Sequence, residues 1–341
     1  MPPVQKRRLA RLALGLALCL GACSRERAFA PAPYDTGFRG PGRLVILFEN
    51  ADPAVPRVLV VHDRDGARAI RVDNARAARW ISKSALLVSQ ELAPTEEYGL
   101  PSTQLLRVDL ESGAIEPFAS AARWFDAEPD PRGERLAAGV EVDDQGASEL
   151  VLFSLASRGE KPLADAPRAL DRPRWSPDGA ALVVLQTIAD PDGADSETGI
   201  SFGGQEVAFP RLFRLSAALD GKLVLLRDGD PGGPLAPGGS LPLWWDARGV
   251  YAKQRRGLVL CDPSGSGCRL AFAPGGERRV VDGRASGPDE ALLLVRDHSE
   301  QPDTELPQDL YRVHLDSGKG EAIYHAPHDV FLSELDWVAS P

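Results

Sequence analysis

Six apolar runs recur along the chain, each launched from a short polar turn, and the phrase that precedes them is cut off at the C-terminus. The runs are RLVILFEN after Gly42, ALLVSQEL after Ser84, ERLAAGVEV after Gly133, AALVVLQT after Gly179, VYAKQR after Gly249 and ALLLVRD after Glu290. Their spacings of 42, 49, 46, 70 and 41 residues mark a repeat architecture rather than two unrelated domains. Five of the turns follow a consistent phrase: ARWISKS, AEPDPRG, PRWSPDG, LWWDARG and ASGPDE. Trp80, Trp175 and Trp245 hold its key position, with Pro129 and Ser286 as substitutes.

Behind each run comes a second unit, a β-rich stretch, a Gly-bearing polar turn and another stretch, as in QLLRVDLESGAIEPF and DLYRVHLDSGKGEAIY. That is the pattern of a hairpin. One repeat therefore holds four strands, a short Trp strand, the apolar strand and the hairpin pair. Six such units with almost no helical periodicity predict an all-β, six-bladed β-propeller. The first unit lacks a Trp strand, and SELDWVASP at the C-terminus, with Trp337, supplies it. The expected ring is closed by pairing of the C-terminal strand with the N-terminal blade, which also hides a strand edge. The Trp residues are read as wedges between blades.

The phrase RWSPDG before an apolar strand resembles the TolB-type propeller repeat, which is sharpest at Trp175, Ser176, Pro177, Asp178 and Gly179. The resemblance covers residues 42–341. It implies an exported propeller that docks an envelope protein or peptide. The TolB protein carries a further domain before its propeller, where this chain has only a tether, so the expectation is a TolB-like propeller lipoprotein.

The N-terminus reads MPPVQKRRLARLALGLALCLGAC, a cationic start followed by an apolar run too short for a permanent membrane span. Leu20-Gly21-Ala22-Cys23 resembles the bacterial lipobox, which implies acylation and cleavage at Cys23; an ordinary signal peptide is the alternative. The predicted organisation is a lipoprotein signal peptide at 1–22, a flexible tether rich in Pro, Ala and Gly at 23–41, and the propeller at 42–341. Acyl chains hold such a protein to the membrane, because each buried methylene contributes about 0.8 kcal/mol. Ser24, rather than Asp, favours the outer membrane of a Gram-negative envelope.

Loss of residues 1–22 removes Lys6, Arg7, Arg8 and Arg11 and leaves 35 basic residues against 49 acidic ones. That charge repels nucleic acid and anionic headgroups, which excludes a nucleic-acid partner. Cys261 and Cys268 flank the turn DPSGSG on opposite arms of a hairpin, and an exported compartment allows the pair to form a disulfide. A metal pair is the alternative, without a third thiol beside it.

Other constellations are sparser. Gly199-Ile200-Ser201-Phe202-Gly203 matches the G-x-S-x-G pattern, but no helix follows and no hydrolase domain has room. His325, His328 and Asp329 could hold a transition metal or form a solvated turn. Asp190, Asp192, Asp195 and Glu197 surround Gly193 in an insertion at 189–209, which suits calcium in composition without EF-hand spacing. A solvated loop is the alternative, and no other cofactor is expected.

The loops between second and third strands emerge on one face of a propeller and are acidic in five units. They include Glu96, Glu97, Asp143, Asp144, Asp303 and Glu305, candidates for a face that steers a cationic partner. The functional expectation is a monomeric, membrane-tethered module that binds an envelope protein or peptide. A small propeller hydrolase or lactonase with a metal at the central channel is the second hypothesis, and a ligand-free scaffold the third.

Overall fold

A computed structural model describes residues 29–93, 102–141, 148–156, 160–162, 170–189, 200–202, 205–216, 223–225, 241–254, 257–264, 267–297 and 307–339. Among them, all regular secondary structure is β-strand apart from turns. The first sheet joins β1 (Phe29–Pro31), β4 (Gly66–Ile70), β3 (Val58–Asp63), β2 (Gly42–Asn50) and the C-terminal β25 (Val330–Ala339), in that spatial order. The second runs in chain order through β5 (Ala75–Ser82), β6 (Ala85–Glu91), β7 (Thr103–Asp109), β8 (Ile115–Pro129), β9 (Arg135–Glu141), β10 (Ser148–Ser154) and β11 (Glu160–Pro162). The third has β12 (Leu170–Trp175), β13 (Ala181–Ala189) and β15 (Gln205–Ser216), with β14 (Ile200–Phe202) and β16 (Leu223–Leu225) paired to β15. The fourth is β17 (Leu241–Asp246), β18 (Gly249–Gln254), β19 (Gly257–Cys261) and β20 (Cys268–Phe272). The fifth is β21 (Arg278–Ala285), β22 (Glu290–Asp297), β23 (Asp309–His314) and β24 (Lys319–His325).

The strands thus form five sheets where six were expected. The cause is β8, a single 15-residue strand shared by two repeats. Its first part pairs with β7, from Val108↔Ile115 to Thr103↔Ala122, and its second with β9, from Arg123↔Glu141 to Pro129↔Leu136. The join, Ala119-Ser120-Ala121-Ala122, holds no Gly, Pro, Asn or Asp to set a turn, so the outer strand of one repeat runs straight into the first strand of the next.

Packing follows from the two-residue period of a strand buried on both faces. In β2, Val45 and Leu47 join a cluster with Trp80, Leu86 and Val88 of the second sheet. The alternate residues Leu44, Ile46 and Phe48 join Leu292, Leu294 and Leu310 of the fifth. The near-continuous apolar runs in the sequence reflect this double burial.

The C-terminal strand pairs with β2 along its length, from Gly42↔Ala339 to Asn50↔Val330. Trp337, opposite Leu44, covers Gly42 so closely that a Cβ there would lie 2.3 Å from the indole Nε1. Gly42→Ala should therefore push the indole off its seat and destabilise the protein by about 1–3 kcal/mol. Chemical denaturation checks this, and Gly42→Ala/Trp337→Leu should recover part of the loss.

Residues 29–41 depart from the expected tether. β1 adds to the edge of the first sheet, Tyr34 stacks on Phe48 at 4.8 Å, and Phe38 is buried. Apolar residues at 29, 34 and 38 find an apolar sheet edge, which a composition of Pro, Ala and Gly conceals. This segment covers His62, which is fully buried, with Nδ1 3.4 Å from Thr36 Oγ1 and 3.7 Å from Asp35 Oδ1. Burial lowers the imidazole pKa to about 4; Arg39 reinforces this, while Asp35 and Asp63 oppose it. The unfolded chain takes up this proton near 6.5 and the folded chain only near 4, so stability is full above that window and falls as pH drops through it. The loss amounts to about 3 kcal/mol at 1.36 kcal/mol per unit. His62→Phe should flatten melting temperature between pH 7 and 4, measured by scanning calorimetry relative to the parent protein.

Candidate functional site

The first strand of each repeat carries a break in register. The breaks fall at Leu47/Phe48 opposite β25, at Ala75/Ala77 in β5, at Phe125/Glu128 in β8, at Asp171/Arg174 in β12, at Pro242/Trp244 in β17 and at Val280/Asp282 in β21. Such bulges bend a strand and re-aim its side chains. Asp126 and Arg172, at two of these breaks, adopt left-handed backbone with φ of 49° and 48°. That conformation costs about 1–3 kcal/mol for a residue with a side chain. The two are ion-paired to each other, Nε to Oδ2, at 3.5 Å.

Immediately before the Trp position in each repeat stand Arg79, Glu128, Arg174, Trp244, Arg284 and Asp336, each opposite the matching residue of the next strand. Their charges meet. Glu128 Oε2 accepts from Arg284 Nη2 at 2.7 Å and lies 3.5 Å from Arg79 Nε and 3.6 Å from Arg174 Nη1. Arg79 also donates to Glu334 at 2.8 Å, and Arg284 Nε to Asp336 at 2.9 Å. The three guanidinium side chains are 5, 3 and 7% exposed, for Arg79, Arg174 and Arg284 respectively. In the fourth sheet the matching residue, Trp244, leaves the network and stacks on Tyr251 at 4.5 Å. The Leu243 carbonyl takes its place, accepting from Arg174 Nε at 2.7 Å and from Arg284 Nη1.

A second level lies two residues earlier, with Asp126, Arg172, Asp282 and Glu334, joined by Lys253 from β18, whose ammonium donates to the Val281 carbonyl at 2.7 Å. Asp282 accepts from Leu335 N at 3.1 Å, and Asp336 accepts from Trp80 N at 2.7 Å, so β25 is bonded to both neighbouring sheets. Two indoles fasten the sheets in the same way. Trp80 Nε1 donates to the Asp336 carbonyl at 3.3 Å and Trp175 Nε1 to the Glu128 carbonyl at 2.9 Å.

Burial opposes ionisation throughout. It pushes the carboxyls of Glu334 and Asp336 above the usual range despite Arg79 and Arg284, and pulls the ammonium of Lys253 down. Burial also acts against Arg79 and Arg284, yet the surrounding carboxylates hold both above their ordinary value. At Asp126 burial is outweighed by Arg172, Arg174, Arg79 and Arg284, and its carboxyl falls below the usual range. Asp126 thus lends stability above about pH 4 that fades as pH falls, while Glu334 and Asp336 act in the opposite sense. The two levels together hold five cationic and five anionic groups, a neutral assembly rather than an empty cage for a cation.

Of the residues singled out from sequence, Cys261 and Cys268 are bonded to each other, at directly opposed positions of β19 and β20. His325 and His328 do not come together. His325 Nδ1 bonds Asp309 at 2.6 Å, whereas the exposed His328 pairs with Asp329 at 3.0 Å. In the sixth repeat Ala285, not Ser286, stands opposite Ala291 in the Trp position. Cys23, the calcium candidates Asp190, Asp192, Asp195 and Glu197, the pattern Gly199–Gly203 as a whole, and the face residues Glu96, Glu97, Asp143, Asp144, Asp303 and Glu305 lie outside the described residues.

Sheets of antiparallel strands whose first members share one axial network define a β-propeller. No protein-family profile and no curated protein matches the chain. Solved structures do. TolB from Acinetobacter baumannii is similar at a TM-score of 0.54 and 16% identity, over 90% of this chain and 69% of that one. A candidate TolB from Agrobacterium tumefaciens gives 0.53 and 15%, over 88% and 99%. The tricorn protease gives 0.50 and 11%, over 90% of this chain and 31% of its own. At such identities the likeness is one of fold.

Neutralising the hub exposes its energetic weight. Glu128→Gln leaves three buried guanidinium groups short of a counter-charge, and removal of one partner from a buried cluster costs about 3–5 kcal/mol. Urea unfolding should show that loss. Glu128→Asp should recover little of it, because the shortened carboxylate no longer reaches all three.

Proposed function

We propose that the protein is a lipid-anchored component of a bacterial cell envelope whose propeller binds another protein or a peptide. In this reading six four-stranded repeats form the ring, with β8 serving two of them and β25 completing the first. The observation that carries it is the charge-neutral axis. Carboxylates that a central metal would need are already engaged by Arg79, Arg174 and Arg284, so a cation would have to displace buried guanidinium groups. This disfavours the hydrolase or lactonase alternative and leaves the loop-bearing surface as the working part. The likeness in fold to TolB supports the same reading.

The acidic loops at Glu96, Glu97, Asp143, Asp144, Asp303 and Glu305 are the proposed contact face, reached by a cationic segment of the partner. Asp190, Asp192, Asp195 and Glu197 either extend that face or hold calcium. Photo-crosslinking residues placed in living cells at Glu97, Asp144 and Asp303 should give one discrete adduct of a single envelope protein. The same residue at Arg132 or Asp178, in turns at the other end of the strands, should give none. No adduct at any of the three loop positions would sink the docking role. Changing the four insertion carboxylates to amides should weaken the adduct without altering the melting temperature. A melting temperature that falls only with calcium present would assign those four to a structural ion instead.

A further inference from the structure

The charge of the mature chain is unevenly placed. From Cys23 to Arg76 there are nine basic and seven acidic residues, whereas residues 77–341 hold 26 basic against 42 acidic. The one locally positive part of an acidic protein is therefore the anchor segment and the first sheet. Arg25 and Arg27 stand two and four residues from the lipidation position. Arg64 and Arg71, at the two ends of β4, are exposed. Arg68 between them lies over the Phe29 ring at 4.8 Å.

Chain length adds a second constraint. β1 runs antiparallel to β4 with Phe29 opposite Ile70, so the chain enters the fold beside Arg71. Five residues, 24–28, separate that entry from Cys23. At about 3.5 Å per residue they reach at most about 18 Å. A lipid on Cys23 thus holds this edge of the first sheet within a short distance of the headgroups, where each Arg or Lys near an anionic surface is favoured and the effect fades within a Debye length.

We infer that the edge formed by β1 and β4, with Arg64 and Arg71, docks on anionic phospholipid headgroups and fixes the propeller's orientation on its membrane. This rests on the lipoprotein reading above. The net charge of the whole chain argues against lipid contact, but screening makes the local charge decide. The remaining repeats, strongly negative, are then repelled from the same surface and stand away from it.

The experiment uses the full mature lipoprotein in vesicles of phosphatidylcholine alone or with phosphatidylglycerol added. Cys261 and Cys268 are bonded to each other and Cys23 is blocked by acylation, so one introduced cysteine is the sole reactive thiol. Fluorophores at Asp73→Cys, beside the chain entry, and at Ala180→Cys, in the third sheet, report proximity to a headgroup-attached quencher. Quenching at position 73 should exceed that at 180 several-fold in the anionic vesicles. It should fall toward the phosphatidylcholine value in high salt, and likewise in Arg64→Glu/Arg71→Glu. Equal quenching at the two positions overturns the orientation. Quenching at 73 that ignores phosphatidylglycerol, salt and charge reversal leaves a passive tether and overturns the docking. Intact mass separates this from failure of the anchor: a Cys23 without acyl groups on protein that does not float with vesicles removes the premise and the inference together.

Discussion

Three guanidinium groups on one carboxylate hold the centre of this protein. Glu128 takes Arg284, Arg79 and Arg174, which come from strands in separate parts of the chain. Charges taken out of water need close partners, and a cluster supplies them only where several strand positions agree at once. Bulges in all six first strands, two of them with residues in left-handed backbone, are the local cost of bringing these side chains together. Apolar contacts between sheets are plentiful but non-directional, and they would tolerate small slides. Buried ion pairs and the indole bonds to the Asp336 and Glu128 carbonyls restrict such slides.

Where the pattern breaks, the chain compensates with backbone. In the fourth sheet the position before the Trp is itself a Trp, and Trp244 turns away to stack on Tyr251. The carbonyl of Leu243 then receives both Arg174 and Arg284, and Lys253 of the adjoining strand supplies the missing charge at the second level. A repeat protein can lose one member of an axial set in this way because its backbone carbonyls already lie along the axis. Such an axis is rigid and charge-neutral, which suits a scaffold that presents loops to a partner better than one that performs chemistry at its centre.

The N-terminal segment ties the fold to its surroundings. Phe29, Tyr34 and Phe38 seat residues 29–41 on the first sheet and cover His62, so the stretch between anchor position and folded body is five residues rather than nineteen. A long tether would let the propeller sample any orientation. A short one makes the edge of the first sheet part of the membrane question.

The repeat, its four-strand unit, the cysteine pairing and the completion of the first sheet by the C-terminal strand were legible in the sequence. Strand periodicity, turn glycines and a recurring Trp are local signals, each written within a few residues. The axial network was also spelled out, as charged residues one and three places before the Trp position: Asp126 and Glu128, Arg172 and Arg174, Asp282 and Arg284, Glu334 and Asp336. What they do was not legible, because a charged residue in a short strand is ordinarily solvated, and only convergence of six distant strands buries it. Tertiary structure likewise decided that β8 runs unbroken through two repeats and that residues 29–41 pack, since both depend on which apolar surface lies alongside. Local sequence chose the strands; the burial of charge at their meeting place decided how they are held.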